Sequence, residues 1–140
     1  MKPIFEPDGY DTFVLYPYRI FHIRLFYKRI RGKDRIMDFF AYVDCYRACV
    51  ERGDGLIEIV NMEAEDRQVM EHLIDWKEAE KLAIERAIAW GNLRVLSWWL
   101  PKAEVLRKEE AYKVFWIFEK EDGRKAIMDS LTGEVFEGLL

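Results

Sequence analysis

The chain has 140 residues, 51% of them hydrophobic and 15% aromatic, with a formal net charge of −4. That composition excludes a disordered segment, the length suits one domain with a real core, and the acidic balance excludes indiscriminate binding to DNA. No apolar run reaches the roughly 18 residues of a membrane span, and the start, MKPIFEPDGYD, carries acids where a signal peptide has its apolar stretch, so the expected setting is cytoplasmic with no membrane partner.

Residues 1–11 hold Pro3, Pro7 and Asp8-Gly9 and read as an irregular lead-in. Phe13 to Ile30 reads as one long strand, bent at Pro17. Phe21, Ile23, Leu25 and Tyr27 line one face; His22, Arg24 and Lys28 share the other with Ile20 and Phe26. After the polar turn Arg31-Gly32-Lys33-Asp34, Ile36 to Asp44 returns as a second strand. Ala41 to Gly53 can be laid over Ala126 to Gly138 without a gap, with identities at Ala41, Asp44, Val50 and Gly53. The reading is of two related β-meanders, a pseudo-repeat over 13–53 and 111–138. Ala48 stands where the second copy has Gly133, so a looser turn is expected in the first copy.

Leu56 to Val60 is a short strand candidate. Within Asn61 to Ile74, Met62, Val69, Met70, Leu73 and Ile74 fit one side of a short helix. Asp75 to Trp90 is the clearest helix. Asp75 with Glu78 makes a capping-box-like start; Trp76, Ala79, Ala83, Ala87 and Trp90 share a face; Gly91 and Asn92 supply the stop. Leu93 to Leu106, interrupted by Pro101, reads as loop plus edge strand. Tyr112 to Glu119 is apolar on both parities and reads as a central strand. Asp122-Gly123 turns the chain into Lys125 to Asp129. A corner ending in Gly133 leads to the short strand at Val135 and Phe136.

The helix, the edge strand and the hairpin ending in Asp129-Ser130-Leu131-Thr132-Gly133-Glu134-Val135 together resemble the PepSY family. That resemblance covers residues 76–138. It implies a helix packed on an antiparallel sheet and a non-catalytic module, found in bacterial envelope proteins and protease propeptides, that binds or restrains peptidases. Asp129, Thr132, Gly133 and Glu134 are then structural turn residues. The chain departs from the family in lacking an export signal, which sets the envelope and propeptide roles aside.

Five groups of residues bear chemistry. Asp44 and Asp129 occupy matching strand ends, as an acid–base pair or, the commoner use, as caps of the following turn. Cys45 and Cys49 flank one turn; they are too few for a disulfide framework, and a cytosolic chain keeps them reduced. As metal ligands they lack a second pair, and His22 and His72 show no partnered spacing; His72 beside Glu71 and Asp75 reads as a surface-helix histidine. Arg24, Lys28, Arg29, Arg31, Lys33 and Arg35 crowd one hairpin with Phe26 and Tyr27. They read as a solvated tip or as a site for RNA or another single strand. Trp98 and Trp99, with Trp90 and Trp76, read as an aromatic pocket or as the helix–sheet seam.

The expectation is thus an α+β domain over 1–140, an antiparallel sheet with one long helix at about 75–90, PepSY- or cystatin-like. The leading function is a non-catalytic module that engages another protein, or a second copy as a homodimer, through a sheet face or edge. The alternatives are nucleic-acid binding through residues 24–35, and a small-ligand carrier or enzyme using Asp44, His22 and the Trp98 region. No cofactor and no metal are expected.

Overall fold

A computed structural model describes residues 1–55, 58–95 and 97–137. Its elements are β1 (Thr12–Tyr27), β2 (Arg35–Asp44), β3 (Cys49–Gly53), a 3-10 turn at Asp66–Gln68, α1 (Trp76–Asn92), β4 (Lys102–Glu119), β5 (Lys125–Asp129) and β6 (Val135–Glu137). The strands form an antiparallel sheet in the order β3-β2-β1-β4-β5-β6. With one α-helix beside that sheet, the fold is α+β as expected. The chain groups into two compact units. Among the described residues, the helix unit comprises 18–55, 73–95 and 97–110, and the terminal unit comprises 1–17, 58–72 and 111–137.

In the helix unit, β1 pairs with β2 from Tyr18 opposite Asp44 to Tyr27 opposite Arg35. β2 pairs with β3 from Phe40 opposite Gly53 to Asp44 opposite Cys49. Strand alternation puts Phe21, Ile23, Leu25 and Tyr27 on one face beside Phe39, Ala41 and Val43, and all seven are buried. Onto that face α1 lays Ala79, Ala83, Ala87 and Gly91, a four-residue repeat that makes one slanted ridge of small residues. The Asp75 carboxylate accepts the Glu78 N–H at 2.8 Å and starts the helix. Trp76 and Trp90 close the two ends of the seam. Trp76 stands edge-on to Phe21 at 5.9 Å under the Arg19 guanidinium, and Trp90 lies against Phe39 at 5.9 Å.

Gly91 is not the stop the sequence implied; it is helical and buried against Tyr27. A Cβ there would sit 2.1 Å from the Tyr27 hydroxyl and 3.0 Å from Leu25 Cδ1. Two effects of Gly91→Ala oppose each other. Alanine gains about 1 kcal/mol in helix propensity, while overpacking a tight seam costs about 1–3 kcal/mol. Tyr27 is buried and its hydroxyl donates to Asn92 Oδ1, so the ring has little room to yield and overpacking wins. Gly91→Ala is expected to lower the urea midpoint. Adding Tyr27→Phe, which removes the clashing oxygen, is expected to restore much of the loss. A single variant as stable as wild type would refute the close approach.

In the terminal unit, the start of β1, the end of β4 and β5 supply a small core of Leu15, Val114 and Trp116, joined by Phe13, Val69, Tyr112 and Met128. β4 pairs with β5 from Phe115 opposite Asp129 to Glu119 opposite Lys125. The lead-in is held down. Met1 donates its ammonium to the Tyr112 carbonyl at 2.8 Å, and Trp116 Nε1 donates to the Phe5 carbonyl at 2.8 Å.

Several expectations need correcting. β1 runs unbroken through Pro17; β2 pairs with it from Tyr18 onward, so the missing N–H falls outside that ladder. The strand ends at Tyr27, short of Ile30. The segment read as loop plus edge strand runs into the first five residues of β4, which starts directly after Pro101; the pairing of β4 with β5 covers its far end, from Phe115 to Glu119, and does not reach this segment. Proline is tolerated just ahead of a strand, so Pro101 marks the strand's start. Asn61 to Ile74 forms no α-helix, only the turn at Asp66–Gln68; Val69 bridges Leu15 instead. Of the strand candidate at 56–60, residues 58–60 are not strand, and 56 and 57 lie outside the described residues.

The turns after Asp44 and Asp129 share one local chemistry. Asp44 Oδ1 accepts the N–H groups of Tyr46 and Arg47, both at 2.9 Å. Asp129 Oδ1 accepts those of Leu131 and Thr132, at 2.8 and 3.2 Å. Ala48 (φ 54°) keeps the left-handed geometry of Gly133 (φ 75°), so the turn is not looser and the alanine carries the strain. Ala48→Gly is expected to raise stability by up to about 1 kcal/mol, the relief of a left-handed Cβ less the entropy of glycine. Gly133→Ala is expected to cost at least as much, since its Cβ would also meet the Phe5 ring at 3.1 Å. Urea unfolding checks both signs; matching signs would refute the shared turn geometry.

Candidate functional site

The hairpin tip between β1 and β2 carries Lys28, Arg29, Arg31, Lys33 and Arg35 against a single acid, Asp34, and all six are exposed. Beside it lies the segment after α1. Ser97 Oγ donates to the Lys28 carbonyl at 3.4 Å and accepts the Trp99 N–H at 3.3 Å, tying that segment to the tip. The Lys28 ammonium stands 5.2 Å from the Trp99 ring centroid. Between tip and segment opens a cleft of about 280 Å³, whose charged lining is Lys28, Arg29, Arg31, Arg35 and Arg94, with no acid among them. Trp98 and Trp99 form its aromatic wall.

Two candidate groups that the sequence left separate, the basic hairpin and the tryptophan pair, are therefore one surface. Arg94 was missed. It is the one cation between Gly91 and Pro101, four residues ahead of Trp98, and that position was the available signal. Large apolar side chains are unusually bare here. Leu93 (86%), Trp98 (85%), Leu100 (84%) and Ile30 (72%) are the four most exposed of the described large hydrophobic residues. Bare apolar groups rimmed by cations make this surface a candidate for an interaction.

The remaining candidates lie elsewhere. Arg24 is not part of the cleft. It sits on the face of β1 away from α1 and grips Asp38 with two hydrogen bonds, at 2.8 and 3.1 Å. The Arg24 hydrogen bond holds the Asp38 carboxyl below its ordinary range. His22 stacks on Phe40 at 4.5 Å, with Nε2 3.4 Å from Asp38. Lys33 is at the tip but does not line the cleft. Trp76 and Trp90 belong to the helix–sheet seam, so the four-tryptophan pocket does not form. Asp44 lies opposite Tyr18, His22 opposite Phe40, and the Trp98 segment meets the strand's end at Lys28. Ten residues of strand, roughly 33 Å at its usual rise, separate the first from the last, so these groups share no active site.

Asp44 and Asp129 are turn caps with ion-pair partners. Asp44 meets the Arg47 guanidinium at 2.5 Å, and Asp129 meets the Lys113 ammonium at 2.5 Å, with both side chains of the second pair almost fully buried. Burial, joined by the Glu51 and Asp44 carboxylates, pushes the Tyr18 phenol far up. Cys45 is buried, and Cys49 is exposed opposite Asp44. Burial pushes the Cys45 thiol up to about 11, so almost none of it is the reactive thiolate at neutral pH. A thiol reagent at pH 7.5 is expected to titrate Cys49 alone in the folded protein and both cysteines in urea; fast reaction of both in buffer would contradict the burial of Cys45. His72 is not on a helix; its ring stands edge-on to Tyr112 at 6.1 Å.

Among the described residues no three His, Cys, Asp or Glu side chains cluster as a metal site needs. Among the described residues, no helix is long and apolar enough to cross a membrane. A larger, shallow groove of about 790 Å³ beside the start of α1 sets Lys77 and Lys81 against Asp75, Glu78, Glu80 and Glu85, an acidic balance that does not suit a polyanion. No family model, no curated protein and no solved structure matches the chain.

Proposed function

We propose that this chain is a non-catalytic binding module that takes a polyanionic partner at the cationic end of the helix unit. One observation carries the reading: five cations, no acid and two tryptophans line a single cleft. Converging guanidinium groups favour phosphate, sulfate or carboxylate ligands, which they grip with two parallel hydrogen bonds. The PepSY resemblance of Asp129–Val135 points the same way, to a module that binds. Heparin oligosaccharide is a suitable neutral-pH polyanion for the test. Saturable binding that weakens with salt supports the proposal; absence of binding at low salt would end it.

A second reading places a protein partner or a second copy on β6. That strand ends the sheet order, and Val135 and Phe136 on it are exposed, which leaves an edge open to pairing. A strictly monomeric mass at high concentration, unchanged by Phe136→Glu, would remove the second-copy form of this reading.

A further inference from the structure

We propose that the ligand of the cationic cleft is single-stranded nucleic acid, with one base stacked on Trp98 and the flanking phosphates on Arg29, Arg31, Arg35 and Arg94. The inference rests on the polyanion reading above and narrows it by three observations.

The first is size. A cleft of about 280 Å³ lies just below the usual range of small-molecule pockets. It admits one base with its sugar and is too small for the side of a duplex or of a folded protein. The second is the ring. Trp98 is 85% exposed, yet its neighbours are fixed, Ser97 by its bond to the Lys28 carbonyl and Trp99 by the Ser97 hydroxyl and the Lys28 ammonium. A bare aromatic face on an anchored backbone is a stacking platform, and only unpaired bases offer it a free face. The third is the kind of cation. Four of the five are arginines, whose flat forks match phosphate oxygens and also stack on bases, which a lysine ammonium does not do. An acidic peptide would satisfy the charges but has no use for the indole. An anionic vesicle would use the indole and the nearby Leu93, Leu100 and Ile30, but gains nothing from a concave site.

The test is fluorescence anisotropy of the full chain with a labelled 12-nucleotide oligouridine at low salt, beside a DNA strand of the same length, a duplex, poly-glutamate and phosphatidylserine vesicles. The expected result is saturable binding of both single strands, at least tenfold tighter than the duplex. Trp98→Ala is expected to weaken it tenfold or more and Trp98→Phe less than threefold. Trp98 is so exposed that neither change threatens folding. Wild-type affinity in Trp98→Ala, equal affinity for duplex, or binding of vesicles or poly-glutamate alone would overturn the inference. Binding of poly-glutamate or vesicles without the oligonucleotide would leave the polyanion reading standing; failure of every anion would remove both.

Discussion

Asp129→Ala is expected to cost about 3–5 kcal/mol, a large part of the roughly 5–15 kcal/mol that holds a domain of this size folded. The carboxylate has two tasks. Oδ1 accepts the N–H groups of Leu131 and Thr132, and Oδ2 faces the Lys113 ammonium at 2.5 Å where both side chains are nearly dry. Removing one partner of a buried pair strips compensation from the other charge, which is why the cost exceeds that of the turn hydrogen bonds, about 1 kcal/mol each. Asp129→Asn separates the tasks. Its amide oxygen still caps the turn, so it should recover the hydrogen-bond share and leave the charge share lost. Lys113→Met with Asp129→Asn should be more stable than the sum of the single changes allows. Urea unfolding reads all four; a loss below 1 kcal/mol for Asp129→Ala would show that the pair contributes little.

The second large effect falls on binding and spares the fold. Arg31→Glu with Arg35→Glu reverses two exposed charges at the cleft and should change stability by no more than about 0.5 kcal/mol. Affinity for a polyanion should fall about 100-fold, equivalent to about 2.7 kcal/mol. The dependence of log affinity on log salt should flatten by about 0.7 for each single-strand phosphate that is no longer neutralised. Equal losses from reversing Lys77 and Lys81, on the groove beside α1, would mean that binding is diffuse and not tied to the cleft.

Local chemistry was legible in the sequence. Asp122-Gly123 announced the β4–β5 hairpin, and the alanines at 79, 83 and 87 announced a helix lying tight on a sheet. Both depend on neighbours a few residues away. Pro101 stands one residue ahead of β4, where a missing N–H costs no ladder hydrogen bond. Gly91 was misread because its reason is Tyr27, 64 positions upstream. The cleft was half legible. Its cations and its tryptophans each stood out, but their meeting depends on a helix returning the chain to the tip of the first hairpin, and no local pattern encodes that. Lys113 gave no signal either, since a lysine on an aromatic strand reads as exposed until its buried carboxylate partner is seen.

The most direct measurement is an amide map of the ¹⁵N-labelled protein titrated with heparin oligosaccharide at low salt. Shifts confined to residues 28–35 and 93–100, and absent in the Arg31→Glu/Arg35→Glu variant, are the expected result. Shifts centred on β6 or on the Arg24–Asp38 face, or none at all, would contradict the assignment of the cationic end as the binding site.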